Sequence, residues 1–349
     1  MHDTGSMENK KNKGITGKLL QFAHNSGLIR ASYPLLSKSL TVLNYHRIND
    51  PSAAHFDSFK PNVSATPEMF AKQMEYLLRW FNVVSVSEVV QWLQGKIKLP
   101  DYPALITFDD GYLDNYTLAY PILKQYNFPA VIFLTSGHIG TDKAFYWDLA
   151  AYCFFHTSQD HILFPDNKEK SWETKEQKFT ITNSWVESLK RLPDTEKQKW
   201  VNELPSRLKV SVPKNYFKNL MMSWDQIREM SQNGFEFGGH TVTHPILSRI
   251  PIEQAQQEII ESKSYIEKEL GQALLSFAYP NGTKNDFNPE IQSLVANAGY
   301  KVAFTLLNGP TSLNEVKKSP YTIRRIFILH SHTLAHYSAL VSPINRYRK

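Results

Sequence analysis

Short apolar runs alternate with amphipathic stretches from residue 39 onward, and this rhythm restricts the chain to a parallel α/β arrangement. The runs predict seven strands, at 41–45, 104–108, 130–134, 235–238, 275–278, 302–306 and 323–329. Between them lie predicted helices at 67–80, with Thr66 as cap and Pro67 in the first turn, at 118–126, and at 252–270 closed by Gly271. Folds of this kind carry their chemistry at the exits of parallel strands, so polar residues just after an apolar run are the candidates for function. Residues 157–222 break the rhythm. They are rich in Lys, Glu, Asn and Ser and read as an inserted, mostly helical excursion. The expected division is therefore a basic, amphipathic extension over 1–38, one domain over 39–340 carrying that insertion, and a basic tail over 341–349.

With 42% apolar and 21% charged residues the chain is expected to be globular rather than disordered, and no apolar run approaches the roughly 18 residues of a membrane-spanning helix. Cys153 is the only cysteine, which excludes an internal disulfide and a thiolate cluster. Any transition-metal site must draw on the twelve histidines and on carboxylates. The formal charge of +6 sits at the two ends. Residues 1–30 contribute +3 and residues 346–349 another +3, leaving a neutral body that does not resemble a nucleic-acid footprint. An anionic membrane surface would attract such ends, and Leu19, Leu20, Phe22, Ala23, Leu28 and Ile29 can form one face of a helix lying on lipid or on the domain. Polar residues interrupt 19–29 before a secretory core builds up, so the expected location is cytoplasmic, with peripheral membrane contact through the basic N-terminal segment as an option.

Two motifs stand at predicted strand exits. In Thr107-Phe108-Asp109-Asp110-Gly111 the adjacent acids point in different directions, so one can hold a cation while the other serves as a base; the same triplet is also ordinary turn chemistry. In His240-Thr241-Val242-Thr243-His244 two imidazoles four apart on a helical turn can share one ion. A second pair with that spacing, His332 and His336, reads as the solvated side of a terminal helix. Asp110, His240 and His244 together make the three-ligand, open-position set of a catalytic divalent metal, with Asp109 beside it.

These two motifs resemble the first and second motifs of the polysaccharide deacetylases, the NodB-homology or carbohydrate esterase family 4 enzymes, over roughly residues 39–330. The resemblance implies a distorted (β/α)7-type barrel and a metal-dependent deacetylase that hydrolyses the N-acetyl group of an N-acetylhexosamine in a glycan or a glycan precursor, releasing acetate. It implies Zn²⁺ or a similar ion on Asp110, His240 and His244, with Asp109 as the general base. The family's third motif departs here. Phe277-Ala278-Tyr279-Pro280-Asn281-Gly282 has Ala278 where an arginine steadies the base carboxylate. The Phe-Ala-Tyr-Pro form is similar to the branch containing exopolysaccharide deacetylases of the poly-N-acetylglucosamine type, in which an Arg-Ile near the domain's end recurs, and Arg325 is the candidate replacement. Tyr279 and Asn281 are implied for substrate and oxyanion binding, Asn281 through its backbone N–H. His46, in Leu43-Asn44-Tyr45-His46, resembles a circularly permuted general acid, with His330 in Leu329-His330 as the alternative. The implied partner is an N-acetylated carbohydrate, lipid- or nucleotide-linked on the intracellular reading. A deformylase or other amidohydrolase, and an inactive glycan-binding relative, are the competing functions.

Overall fold

The computed structural model describes residues 17–343, so Lys10, Lys11 and Lys13 and the basic residues Arg346, Arg348 and Lys349 lie outside the described residues. The central sheet has nine strands, seven of which make its parallel body: β1 (Ser39–Tyr45), β2 (Pro103–Asp110), β3 (Val131–Leu134), β4 (Glu236–Gly239), β5 (Ser276–Ala278), β6 (Val302–Phe304) and β7 (Ile326–Phe327). Two short strands add to it, Asn82–Val83 in parallel beside β2 and Thr311–Ser312 antiparallel beside β1. The seven pair with one another in parallel, in the order β6-β5-β4-β3-β2-β1-β7. A parallel bridge from Phe304 to Ile323 ties β6 to the segment entering β7, so the sheet curls into a distorted barrel with its weakest seam there. The seven predicted runs all form strands of this sheet, while the two-residue strands Asn82–Val83 and Thr311–Ser312, the second antiparallel, are not foreseen by an apolar run. The seventh strand is the shortest relative to expectation, because only Ile326 and Phe327 of 323–329 find a full partner in β1.

Side chains alternate across the sheet with period two. Leu105, Val131, Phe133, Ala278 and Phe304 cluster with Val86, Val89 and Val90 of a short helix and fill the barrel interior. Ile106, Phe108, Ile132, Phe277 and Tyr279 face the other way, into the layer between sheet and helices. Each fully buried Phe, Leu or Ile contributes about 1.5–3 kcal/mol, so both layers resist a register slip that would exchange the faces.

Helix α1 (Pro67–Trp80) starts where predicted, with the Thr66 hydroxyl accepting the Met69 N–H. In helix α2 (Val86–Leu93) Ser85 and Glu88 form a capping box. The predicted helix at 118–126 begins earlier, as a π-helical turn (Asn115–Ala119) running into Tyr120–Gln125. After α3 (Tyr146–His156) the insertion contributes an antiparallel pair of short strands, His161–Leu163 with Glu169–Ser171, then α4 (Lys175–Leu189) and α5 (Asp194–Arg207). Trp185, Val186, Leu189 and Leu204 are buried in the main core, so the insertion packs as part of the domain. Helix α6 (Ile252–Leu270) ends on Gly271, whose φ of 66° supplies the left-handed cap.

Both outer boundaries move. Ile29, Tyr33 and Leu36 are buried in the core, so the body reaches back into the expected extension; Val341 and Ser342 are buried too, so it runs past 340. No helix among the described residues is long and apolar enough to cross a membrane.

Candidate active site

Strand β2 delivers both aspartates. Asp109 continues the inward-facing row of Leu105 and Thr107 and is 1% exposed. Arg325, itself fully buried, grips it with two bonds, Nη1 to Oδ1 at 2.6 Å and Nη2 to Oδ2 at 2.8 Å. The guanidinium is steered by Nε donating to the Thr305 carbonyl at 3.0 Å, and Asn44 Nδ2 adds a third bond to Asp109 Oδ2 at 2.9 Å. Burial alone would raise the Asp109 pKa, but the charge of Arg325, together with its hydrogen bonds to the carboxylate, overrides it and holds the carboxyl well below the usual range.

Asp110 ends the strand with φ of 76°, followed by Gly111 at 87°. A Cβ on Gly111 would lie 2.7 Å from Ile139 Cδ1 and 2.9 Å from Leu134 Cδ2, so both space and backbone demand glycine. The bend brings Asp110 back to the site instead of outward to the helix layer. Neither of its buried oxygens has a hydrogen-bond partner, and burial, with Asp109 and Asp148 nearby, pushes its pKa well up.

The loop His240-Thr241-Val242-Thr243-His244 follows β4 and is not helical: Thr241 and His244 adopt positive φ, 67° and 61°. The predicted helical turn is therefore replaced by a strained loop that folds the two imidazoles toward each other, ring centroids 4.8 Å apart. Glu258 of α6 braces it. One carboxylate oxygen accepts the N–H groups of Val242 and Thr243 at 2.7 and 2.9 Å, and the other accepts the Thr243 hydroxyl at 2.6 Å. His240 Nδ1 faces the Ala278 carbonyl at 2.7 Å; a carbonyl only accepts, so Nδ1 carries the proton and Nε2 keeps its lone pair. His240 Nε2 and His244 Nε2 lie 3.7 and 3.5 Å from Asp110 Oδ1. Burial lowers the pKa of both histidines, so they rest neutral. An orphaned buried carboxylate beside two imidazole lone pairs, with all donor atoms within 4.8 Å of one another, is a donor set that fits a divalent cation.

A cavity of about 110 Å³ opens over this set, lined among others by His46, Asn62, Trp147, Val186, Lys190, Asn281 and Phe327. Trp147 of this lining ends a three-ring stack, His138 on Phe145 at 4.2 Å and Phe145 on Trp147 at 4.5 Å, with the His244 ring edge-on to Phe145 and Trp147. His46 Nε2 is 3.9 Å from Asp109 Oδ2. Burial brings the His46 pKa down to about 4 against the opposing pull of Asp109, so it too rests neutral. His330 is exposed, bonds the Val63 carbonyl and is absent from the cavity lining. Asn281 is present, with φ of 57°.

Two expectations fail. Tyr279 does not reach the cavity: period two sends it outward with Phe277, where its ring stacks on Phe287 and its hydroxyl donates to the Tyr321 carbonyl at 3.1 Å. The pair His332 and His336 is not simply solvated surface. His332 is buried, its Nδ1 accepts the Leu329 N–H at 3.1 Å, and its pKa falls to about 4, chiefly through burial.

A family model described as polysaccharide deacetylase matches residues 96–303, well over half of the chain and spanning both motifs. The chain belongs to the polysaccharide deacetylase family. As a family member it is a hydrolase acting on carbon–nitrogen bonds. It is 26% identical over 224 residues to the poly-beta-1,6-N-acetyl-D-glucosamine N-deacetylase of Staphylococcus aureus (strain N315), covering 57% of this chain and 71% of that one. Among solved structures it is similar to the Streptococcus pyogenes deacetylase PplD in complex with acetate, with TM-score 0.57 and 20% identity over 87% of this chain and 99% of that one. IcaB from Ammonifex degensii gives TM-score 0.53 and 22% identity over 87% and 97%. At these identities the structural likeness is one of fold.

Sequence reading missed the Glu258 brace, the aromatic stack ending in Trp147 and the contribution of Val186 and Lys190 from the insertion. Asn44 carried a legible signal, as a polar residue in an otherwise apolar strand exit.

Proposed function

We propose that this protein deacetylates an N-acetylhexosamine within a glycan or a lipid- or nucleotide-linked glycan precursor, using a divalent ion, Zn²⁺ in our reading, held by Asp110, His240 and His244. The observation that carries the proposal is the pairing of a cation-ready donor set with a separately charge-paired carboxylate, Asp109, at the floor of a cavity of about 110 Å³. That volume suits an acyl group better than a sugar ring. When bound, such an ion would acidify a water toward a pKa of about 7 and polarise the acetamide carbonyl.

The chain's own residues supply the rest. Asp109 is kept ionised and aimed by Arg325 and Asn44, and it takes the proton of the attacking water at Oδ2, the oxygen nearer His46. A carboxyl held so acidic releases that proton readily, and His46 at 3.9 Å is placed to receive it and hand it to the departing amine, which cannot leave as an anion. The backbone N–H of Asn281, at the cavity rim, is our candidate donor to the developing oxyanion. Phe59, Trp147 and Val186 keep water off the acyl group. Acetate and a sugar amine leave.

The test is metal-loaded protein incubated with N-acetylated and N-formylated sugars, free, polymeric, nucleotide-linked and lipid-linked, with products read by mass spectrometry. Release of acetate from an N-acetylhexosamine supports the reading; turnover of formamides alone makes the protein a deformylase, and no turnover with bound metal makes it a binding relative. Asp109→Asn should keep metal near the wild-type stoichiometry and lower the rate by about 10² to 10⁴. Retained activity would remove Asp109 from the mechanism.

A further inference from the structure

Among the described residues, the four most exposed large apolar side chains all fall in one short stretch: Leu35 at 72%, Phe22 at 66%, Leu19 at 64% and Leu28 at 60%. They are not on a loose strand. The stretch is fastened from beneath by Ile29, Tyr33 and Leu36, all buried in the core, by a hydrogen bond between the hydroxyls of Tyr33 and Tyr76, and by His24 Nδ1 at 2.8 Å from Ser338 Oγ. Residues 17–25 are helical, so Leu19 and Phe22, three apart, share a face. Fixing the inner side while presenting Leu and Phe outward exposes apolar surface that a protein working only in water has no reason to keep.

Charge says what covers it. From Asn9 to Asn49 the chain contains no Asp or Glu at all, while Lys10, Lys11, Lys13, Lys18, Arg30 and Lys38 surround the apolar positions in sequence. Arg30 also lies over the Trp80 ring at 5.0 Å, joining a half-exposed aromatic of α1 to this surface. A second protein surface would need to be both apolar and acidic to match; a bilayer with anionic headgroups over an acyl interior matches directly, with basic side chains at the headgroups and Leu and Phe below them. We infer that residues 17–38 form a membrane-docking face that holds this enzyme peripherally on an anionic lipid surface.

The experiment is co-sedimentation of the full chain with phosphatidylcholine vesicles, with and without phosphatidylglycerol. Binding is expected to the anionic vesicles and to weaken with salt. Leu19→Glu with Phe22→Glu should lower the partition at least tenfold, and Lys18→Gln or Lys38→Gln roughly fivefold each. Both sets lie on the exposed side, so thermal melting and turnover of a soluble substrate should be unchanged. Equal partition of the Leu19/Phe22 double variant and wild type would overturn the inference, as would binding that ignores lipid charge. A concentration-dependent dimer in sedimentation velocity, dissolved by the same double variant without any vesicle binding, would assign the face to a second copy instead.

Discussion

Removing Arg325 tests the site's electrostatic logic most directly. The guanidinium is fully buried and makes two short bonds to Asp109 and one to the Thr305 carbonyl. In Arg325→Met the side chain keeps much of its length and loses every donor, leaving the Asp109 carboxylate without its counter-charge, with only Asn44 and the neutral His46 nearby. Breaking a buried pair by deleting one partner costs about 3–5 kcal/mol. For a 349-residue chain, an unfolding entropy of about 2.1 cal/mol/K per residue turns that into a Tm lower by about 4–7 °C. Asp109→Asn should also destabilise, since it strands the guanidinium. The double variant Asp109→Asn/Arg325→Met leaves no buried charge in this pair and should be clearly more stable than the two single losses added together, by a coupling of at least about 2 kcal/mol. Thermal and urea unfolding at one fixed zinc concentration measure all four proteins, because a ligand that binds only the folded state shifts every curve. Additive losses would refute the claim that Arg325 exists to balance Asp109.

Glu258→Ala removes the acceptor for two N–H groups and a hydroxyl of the histidine loop and should weaken zinc affinity about 10- to 100-fold in a chelator competition. Glu258→Gln should stay within a few-fold, because its carboxamide oxygen can take both N–H groups while its NH₂ donates to Thr243; equal losses in both variants would show that charge rather than bracing matters. His332 has a folded pKa of about 4, below the ordinary value of about 6.5, so the unfolded chain takes up a proton that the folded one refuses between those values. Its contribution to stability is therefore complete above about pH 6.5 and lost as pH falls toward 4, and His332→Asn, a neutral acceptor for the Leu329 N–H, should flatten that part of the stability–pH curve while metal content stays unchanged. An unaltered curve, or lost metal, would contradict the placement of His332.

The parallel body of the barrel was legible because most of its strands carry a short, largely apolar run buried on both faces, and because caps such as Thr66 and Gly271 act locally. Asp109, Asp110, His240 and His244 were legible for the same reason, each lying within a few residues of a strand exit. What failed had non-local causes. Spacing suggested a helical turn for the two histidines, yet the loop's positive φ angles are stabilised by Glu258, whose carboxylate comes from the following helix. Tyr279 was assigned by motif, and the pleat of a strand decides which way it points. His332 looked exposed because its neighbours are polar, and its burial comes from folding back onto the Leu329 N–H. The insertion's reach to the cavity, through Val186 and Lys190, has no trace in its own composition.

The missing arginine shows how such a site tolerates rearrangement. Ala278 on β5 takes the place where the family resemblance calls for a guanidinium, and it is packed among the interior side chains of the barrel. Arg325 enters from the segment that links β6 to β7, over the ring of Phe133 at 5.6 Å, and reaches the same carboxylate. In an open sheet those two origins would lie on different edges. Because the sheet curls until β7 pairs with β1, the last segment of the chain stands one strand from β2, and its inward side chains share the interior with those of β5. Asp109 therefore needs a positive charge at a point in space, and a closing barrel offers more than one strand from which a side chain of arginine's length can reach it. The small Ala278 is then a consequence of the move: a second long side chain from β5 would compete with Arg325 for a volume already filled to protein density.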